Sequence, residues 1–462
     1  MESPREAAET YRVIVTRRDA SEIFLLPNGS EWALPRVEIQ PHQRLAEQLT
    51  AAVAKAWGIE AYCLFLPNAR TSEFNREARS AVMETVRHND KSPAGTYWMP
   101  SSAGTRSSNS AEASAIRESL TELDSYVKSE KAGPFAKPAW LRELFLWSQE
   151  QIGPLDLRLT GGFKQLNASP TFSLIRLETG QNAVWFKATG EPNRHEFPVT
   201  VFLTRHVPAF VPPLVAVHTD WNGWLAWEAP GQSLDECFDV ASWEKAAEAF
   251  AKLQIQSLGH GSELIDAGCK DLRLCRVAEQ IEPFLDRMSE FMAAQQKTQP
   301  AALQDAELAF LGAQLKEACA FLESLTFPDA LGHIDLNPGN ILISPENCTF
   351  LDWAEGCITQ PFLTFEYLRE HARRCLAEPS TPEKITYAYA RPWSRIFSPD
   401  SLTKAMTVSP LLAVLAYALA GEKWRSPDTP HDSALAGYFR SLTRRMHREA
   451  KRFAERSEPC PA

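Results

Sequence analysis

Two polar residues flanking a Pro-Gly loop carry the clearest chemical signal in the sequence. Residues 333–353 read HIDLNPGNILISPENCTFLDW, in which Asp335 and Asn340 stand five positions apart. The predicted hairpin that follows returns Asp352 to the neighbourhood of Asn340. One carboxylate can orient and deprotonate an attacking hydroxyl, while an amide oxygen and a second carboxylate can hold Mg²⁺ on nucleotide phosphates. The set therefore predicts phosphoryl transfer.

Each of these residues also has a purely structural interpretation. A single Asp or Asn beside Pro-Gly usually forms a turn, so the prediction depends on the three residues together. His333 is expected to brace the loop. A competing hypothesis joins His333, Asp335 and His371 into the two-histidine, one-carboxylate site of an Fe(II) oxygenase. The predicted helical surroundings argue against it, because that fold needs a β-barrel.

The pattern HxDxxxxN followed by LDW resembles the catalytic loop and metal-binding segment of aminoglycoside phosphotransferases and choline kinase-like proteins, a branch of the protein-kinase-like fold. The resemblance implies an ATP- and Mg²⁺-dependent kinase that phosphorylates a hydroxyl of a small molecule. It assigns Asp335 as the base, and Asn340 and Asp352 as metal ligands. It also implies a bilobal α+β fold, with a small antiparallel sheet and a large helical lobe.

The resemblance extends upstream to the residues that would bind the nucleotide. Lys187 in VWFKATG ends the third predicted strand of the small sheet, where this fold places the lysine that contacts phosphates. Glu196 in HEF begins a helix, where its ion-pair partner would lie. The segment WLAWEAPGQSL resembles the hinge, in which backbone groups around Trp227 and Glu228 would bind adenine.

Two departures from the family pattern leave the acceptor open. The chain has Leu253 and Gln254 where relatives often carry Leu-His, and no acidic residue directly follows Trp353. A second hypothesis is therefore a kinase-like module that binds nucleotide or a partner without turnover. The intact catalytic set, including Lys187 and Asp335, weighs against it.

The expected acceptor is a small hydroxylated molecule, and a cationic one is favoured by the acidic chain. Net charge is a weak guide, because it is screened over about 8 Å at physiological ionic strength. Local carboxylates matter more, and Glu355, Glu366 and Glu370 follow Asp352 closely enough to be candidates for the acceptor pocket.

Hydrophobic patterning divides the chain into three parts. Residues 1–150 contain short β-branched and aromatic runs interrupted by one helix, and the stretch 100–114 is expected to be a mobile loop. Residues 151–230 contain three alternating runs joined by glycine turns, which is typical of an antiparallel sheet. Residues 231–462 are mainly helical and carry the catalytic loop.

The N-terminal part resembles a degenerate Nudix hydrolase domain. EIFLLPNGSEWALPRVEIQ and the helix after it keep the apolar frame of that strand-loop-helix box, including Trp32, Leu34 and Gly58. The positions of its glycine, arginine and glutamates are occupied here by Val37, Gln43, Ala51, Ala52, Lys55 and Ala56. Pyrophosphate hydrolysis needs those carboxylates to hold Mg²⁺, so this part is predicted to be inactive.

Composition excludes several other classes of protein. The chain has 462 residues, of which 44% are hydrophobic, and a net charge of -10. That sign disfavours nucleic acid as a partner. The nine cysteines include no CxxC pair, which makes a disulfide framework improbable. The apolar stretch 410–421 is shorter than the ~20 residues of a membrane span, so we predict a buried helix there and a cytoplasmic protein.

Overall fold

The computed structural model describes residues 8–17, 19–40, 44–67, 79–86, 95–107, 109–129, 134–427, 429 and 432–457. The chain is a mixed α+β protein that divides into two compact units. The first comprises Met1–Phe197 with Pro213–Glu228, and the second comprises Pro198–Pro212 with Ala229–Ala462. The predicted bilobal kinase layout and the predicted Nudix-like domain stay predictions.

Seven strands of the first unit form one mixed sheet. They are β1 (Glu9–Arg17), β2 (Glu22–Asn28), β3 (Glu31–Ala33), β4 (Arg36–Ile39), β5 (Ala61–Phe65), β6 (Arg79–Thr85) and β7 (Tyr97–Pro100). The order is β3-β2-β1-β6-β5, with β4 paired to β1 and β7 to β2. β1 and β6 run parallel, with Tyr11 opposite Arg79. β1 is buried on both faces in its middle, which explains its continuous apolar run.

Among the described residues up to 152, four α-helices accompany this sheet, and α1 ends as predicted. They are α1 (Leu45–Trp57), α2 (Ser101–Ser107), α3 (Ser110–Lys128) and α4 (Trp140–Ile152). α1 buries Leu49 and Val53 and terminates at Gly58, whose φ of 65° is left-handed and suits glycine. Gln43, the first residue predicted for this helix, lies outside the described residues.

The loop predicted over 100–114 is wrong, because α2 and α3 occupy most of it. The Asn109 side chain accepts a hydrogen bond from the Glu112 N–H at 3.0 Å and thereby caps α3. The Glu112 carboxylate is buried, accepts the Leu34 N–H at 3.1 Å and pairs with Arg36 at 2.8 Å. These contacts join α3 to the sheet, so a segment of low complexity becomes helical through tertiary contacts.

A second, antiparallel sheet belongs to the same unit. Its strands are β8 (Leu159–Ala168), β9 (Ser173–Thr179), β10 (Ala183–Ala188), β11 (Leu214–His218) and β12 (Gly223–Trp227), in the order β11-β12-β10-β9-β8. The three alternating runs predicted from the sequence are confirmed as β8, β9 and β10. The short helix predicted next is α5 (Glu196–His206).

The two sheets of the first unit share a hydrophobic core. Ile14 and Ile23 of the first sheet belong to the same buried cluster as Val184 and Phe186 of the second. The boundary predicted near residue 150 falls in the last turn of α4, whose side chains also enter this cluster. The three-part division of the chain stays a prediction.

The second unit contains two three-stranded sheets among its helices. The strands are β13 (Gln232–Ser233), β14 (Lys270–Leu272), β15 (Ala330–His333), β16 (Ile341–Ile343), β17 (Cys348–Phe350) and β18 (Gly356–Thr359), arranged as β13-β16-β17 and β14-β18-β15. The helices are α6 (Val240–Gln256), α7 (Gly261–Asp266), α8 (Leu274–Glu279), α9 (Ile281–Ala293), α10 (Asp305–Ser324), α11 (Pro361–Cys375), α12 (Thr381–Trp393), α13 (Pro399–Ala420) and α14 (Ser433–Ser457).

α13 contains the stretch predicted to be a buried helix, and that prediction is confirmed. Within the described ranges it is the one helix that is long and apolar enough to cross a membrane by length and composition. However, 72% of its most apolar window is buried inside the protein, as in the core helix of a folded domain.

Candidate functional site

The loop after β15 holds Asp335 through two side-chain amides. The Asn340 Nδ2 group donates to the Asp335 backbone carbonyl at 3.0 Å and lies 3.3 Å from its carboxylate Oδ2. The Asn337 Nδ2 group donates to Asp335 Oδ1 at 3.0 Å. A short 3-10 helix, Pro338–Asn340, turns the chain so that Asn340 reaches back. The structure therefore brings Asp335 and Asn340 together, as the sequence predicted.

The predicted hairpin is present and returns Asp352 to this loop. β16 and β17 pair antiparallel, with Ile341 opposite Phe350. Beyond the last pair, the Leu351 N–H donates to the Asn340 carbonyl at 2.8 Å. Asp352 follows directly with a left-handed φ of 63°, a conformation that Asp adopts more readily than most residues. The exposed side chain of Asp352 therefore belongs to the residue that directly follows Leu351, the residue bound to Asn340.

His333 braces the loop, as predicted. Its imidazole is buried, and Nε2 donates to the Leu351 carbonyl at 3.0 Å, which ties β15 to the segment carrying Asp352. Burial lowers the pKa of His333, because it disfavours the charged imidazolium form. Across the described ranges, no group of three or more His, Cys, Asp or Glu side chains is arranged to hold a metal. The iron triad with His371 is therefore not assembled.

The oxygen donors of this loop fit Mg²⁺. The NH₂ group of Asn340 points at Asp335, which leaves the amide oxygen Oδ1 as the atom able to bind a cation. Asp352 supplies a carboxylate on the exposed side of the hairpin. Mg²⁺ binds one or two such oxygens and completes its shell with phosphates and water, so two protein ligands suffice.

Lys187 and Glu196 form an ion pair in the first unit. Lys187 is the second-to-last residue of β10 and pairs with the Glu196 carboxylate at the start of α5. The Lys187 side chain is 13% exposed and that of Glu196 only 2%. The Lys187 Nζ atom lies 6.0 Å from the ring of Phe172 and 5.8 Å from that of Trp224. This cation is thus fixed between a carboxylate and two aromatic rings.

A turn beside Lys187 is a candidate phosphate loop that the sequence analysis missed. β10 pairs with β9 so that Lys187 lies opposite Leu174, just after the β8–β9 turn. In that turn the Ser169 hydroxyl accepts the N–H groups of Phe172 at 2.9 Å and Thr171 at 3.3 Å. The signal was the Ser-Pro-Thr run between two alternating segments, which is typical of a tight turn.

Trp227, the last residue of β12, and Glu228, which follows it, were predicted to form the hinge, and their N–H groups are already paired. The Trp227 N–H donates to the Pro213 carbonyl at 2.9 Å, and the Glu228 N–H donates to the Ala183 carbonyl at 3.1 Å. The Glu228 carboxylate accepts two hydrogen bonds from Arg176, at 2.6 and 2.9 Å. These hydrogen bonds lower the pKa of Glu228. A role for these two residues in adenine binding stays a prediction.

The three carboxylates proposed for a cationic acceptor are each paired with a basic side chain. Glu355 pairs with Lys270. On α11, Glu366 pairs with Arg369 at 2.7 Å, and Glu370 pairs with Arg373 at 2.8 Å and Arg374 at 2.7 Å. Burial raises the pKa of Glu366 to about 7, whereas hydrogen bonds from Arg373 lower the pKa of Glu370 to about 2.

Gln254, which departs from the family pattern, has a structural role. It is fully buried on α6, and its Nε2 donates to the Pro361 carbonyl at 3.0 Å. The Tyr389 hydroxyl donates to its Oε1 at 2.6 Å. Gln254 therefore joins α6 to the start of α11 and to α12.

No protein-family model matches the chain, and no curated protein matches it. Solved structures that are similar include a macrolide 2'-phosphotransferase from Brachybacterium faecium, at 15% identity over 65% of this chain and 97% of that chain, with a TM-score of 0.43. A Plasmodium vivax ethanolamine kinase is similar at 14% identity over 66% and 87%, with a TM-score of 0.44. A choline/ethanolamine kinase family protein from Mesorhizobium loti is similar at 19% identity over 64% and 89%, with a TM-score of 0.44.

Proposed function

We propose that this chain is an ATP- and Mg²⁺-dependent phosphotransferase whose acceptor is a hydroxyl group of a small molecule. The observation that carries the proposal is the hydrogen-bonded loop in which Asn340 contacts Asp335 through its side chain and Leu351 through its carbonyl. The Asp335 carboxylate, the Asn340 amide and the segment that carries Asp352 are thereby linked by hydrogen bonds, which supports roles as base and metal ligands. That combination is what phosphoryl transfer requires.

Asp335 is the proposed base. Its side chain is exposed, while the amides of Asn337 and Asn340 fix the orientation of the carboxylate. A carboxylate held in this way can accept the proton of an acceptor hydroxyl as the oxygen attacks. Bound Mg²⁺ would neutralise charge on the nucleotide phosphates, and Asn340 and Asp352 would hold it.

Lys187 is the proposed phosphate ligand, and Glu196 positions its ammonium group. A buried carboxylate that pairs with the lysine keeps it charged and limits its rotamers. The hydroxyl groups of Ser169 and Thr171 in the turn beside Lys187 would add donors for phosphate oxygens. Backbone groups around Trp227 and Glu228 remain the proposed adenine contact.

We propose that the N-terminal sheet and its helix α1 have a packing role and do not hydrolyse pyrophosphate bonds. α1 presents Ala51, Lys55 and Ala56 to solvent, and its one acidic residue, Glu47, pairs with Lys164 of β8 at 2.8 Å. A metal-dependent pyrophosphatase needs several carboxylates on such a helix. We also propose a cytoplasmic location, which the sequence predicts.

ADP release on addition of acceptor tests the function directly. The full chain, incubated with ATP and Mg²⁺, is screened against hydroxylated small molecules, with neutral and cationic members of each type. The proposal predicts acceptor-dependent ADP release that Asp335→Asn removes and Asp400→Asn, an exposed surface change, preserves. Mg²⁺-dependent ATP binding without turnover for any acceptor would favour the alternative, a nucleotide-binding regulatory module.

A further inference from the structure

A cavity of about 900 Å³ lies between α11, α12, α13 and α14 of the second unit. Asp335, Asn340 and Asp352 do not line it. Its volume is within the range of small-molecule binding sites, about 300–1,000 Å³. The cavity is therefore distinct from the site proposed for phosphoryl transfer.

Two helices each line this cavity with a row of charged side chains, called charged stripes below. α11 contributes Glu366, Arg369, Glu370 and Arg373, and α14 contributes Arg445, Glu449, Arg452 and Arg456. Spacings of three and four residues place each set on one helix face. Residues that face a neighbouring helix are usually apolar, because burying charge costs free energy. Two such stripes around one cavity therefore indicate a site for a polar ligand.

The charge of the cavity wall is positive. Its lining includes four glutamates and six arginines, which are Arg369, Arg373, Arg391, Arg445, Arg452 and Arg456. Four of these arginines are paired with glutamates: Arg369, Arg373 and Arg452 with their helix neighbours, and Arg391 with Glu248.

Arg445 and Arg456 differ from the other four. Within the described part of the chain, neither has a carboxylate at ion-pair distance. Arg445 is half-buried, whereas Arg456 is exposed near the end of α14. Guanidinium groups bind carboxylate and phosphate through charge-assisted, often bidentate, hydrogen bonds. Arg445 interacts electrostatically with Glu366 but is not paired with it at ion-pair distance, so both guanidinium groups keep N–H donors for an anion.

The wall also has an apolar part. The Tyr387 side chain of α12 lines the cavity and is 72% exposed. A ligand that fills the space would cover this aromatic ring, which inorganic phosphate is too small to do. The combination favours an anionic group joined to an apolar body.

We propose that this cavity binds a small soluble organic anion, a phosphate or carboxylate group on an apolar body, with Arg445 and Arg456 as its anion ligands. Hexyl phosphate and hexanoate are suitable probes, and calorimetric titration of the full chain measures their binding without an activity assay. Both should bind with saturation, whereas hexyltrimethylammonium and inorganic phosphate should bind at least tenfold more weakly. Equal affinity for the cationic probe, or no saturable heat with either anion, would overturn the proposal.

Single substitutions in the cavity wall test whether hexyl phosphate binds in this cavity. Arg456→Gln and Arg445→Gln should each weaken hexyl phosphate binding about tenfold, the value of one charge-assisted hydrogen bond. Arg448→Gln is the matched control, because this exposed arginine lies on the same helix and does not line the cavity. Ala390→Phe should block binding by filling space while keeping every charge. If the arginine variants bind as Arg448→Gln does, the site is elsewhere and the proposal fails.

A phospholipid headgroup carries the same phosphate group as hexyl phosphate. Binding to lipid vesicles therefore distinguishes a membrane lipid from a soluble ligand. Sedimentation with phosphatidylcholine vesicles that contain phosphatidic acid should leave the chain in the supernatant. Retention on these vesicles that Arg456→Gln and Arg445→Gln abolish would contradict a soluble ligand.

Discussion

The Asn340 side chain donates to the backbone carbonyl of Asp335 at 3.0 Å, and its own carbonyl accepts the Leu351 N–H at 2.8 Å. One residue thus links the proposed base to the segment that carries the proposed metal ligand Asp352. The Asn340 amide oxygen is left as the atom that could bind a cation. The geometry ties the proposed base and the segment of the proposed metal ligand to one residue, through its side chain and its backbone carbonyl respectively.

Asp335→Asn should lower kcat by about 10² or more, because general-base assistance is worth about 10²–10⁴. The Kd for Mg²⁺-ATP should stay nearly unchanged, since the base acts on the acceptor. Steady-state kinetics and nucleotide titration measure the two quantities, with Asp400→Asn as the control. A matching loss of ATP affinity would assign Asp335 to nucleotide binding.

Asp352→Asn should weaken nucleotide binding only when Mg²⁺ is present. The substitution removes one charge from the proposed ligand set of the ion and leaves Lys187 in place. Titrations of ATP with Mg²⁺ and with EDTA give the comparison. An identical effect in both buffers would contradict metal binding by the hairpin.

The Lys187–Glu196 pair predicts non-additive effects on stability. Lys187→Met and Glu196→Gln should each lower the free energy of unfolding, because each leaves a nearly buried charge without this partner. The double variant should lose about 1–3 kcal/mol less than the sum of the single losses, as expected for residues in contact. Urea unfolding of the four proteins measures the coupling, and strict additivity would show that the pair contributes no interaction energy.

The loop that carries Asp335 and Asn340 was predictable because its contacts are local. Asp335 and Asn340 are five residues apart, and a short hairpin connects Asn340 to Asp352. Turn chemistry and strand alternation determine such geometry over about twenty residues. The same holds for β8 to β10, whose turns are visible in the sequence.

Contacts between distant segments were not predictable in the same way. Glu112 orders the start of α3 through Leu34 and Arg36, more than seventy residues earlier. Periodicity contains no information about such partners, so the sequence pattern alone predicts a loop there. Conversely, the pairing of Glu366 and Glu370 with arginines three and four residues away was visible in the sequence, and it removes these carboxylates as simple cation ligands.

Gln165→Leu should lower the free energy of unfolding by about 2–4 kcal/mol, the cost of two unsatisfied buried backbone groups. Gln165 of β8 is buried, accepts the Cys63 N–H at 2.7 Å and donates to the Cys63 carbonyl at 2.8 Å. It therefore joins β5 of the first sheet to the second. Gln181→Leu, at an exposed turn, is the control and should change stability by less than about 0.5 kcal/mol. Equal stability of the two variants would show that the bridge is dispensable.

Glu366 and Glu370 should give opposite pH dependences of stability, although they lie one turn apart on α11. Burial raises the pKa of Glu366 to about 7, above the value of about 4.3 in an unfolded chain. Between about pH 4.3 and pH 7 the Glu366 carboxyl is protonated in the folded chain and ionised in the unfolded chain. Its contribution to the free energy of unfolding is therefore complete below about pH 4.3 and is lost as the pH rises through 7. Arg373 lowers the pKa of Glu370 to about 2, so its contribution is complete above about pH 4.3 and is lost as pH falls through 2.

Glu366→Gln should therefore gain stability relative to the natural chain by about 1–3 kcal/mol between pH 5 and pH 8. Glu370→Gln should be destabilised at pH 7, and its deficit should shrink as the pH falls toward 3. Urea unfolding across this pH range measures both differences, and each variant serves as the control for the other because the substitution and the helix are the same. Parallel profiles would show that the two carboxyls share one environment, and a flat Glu366→Gln difference would place that carboxyl in contact with solvent.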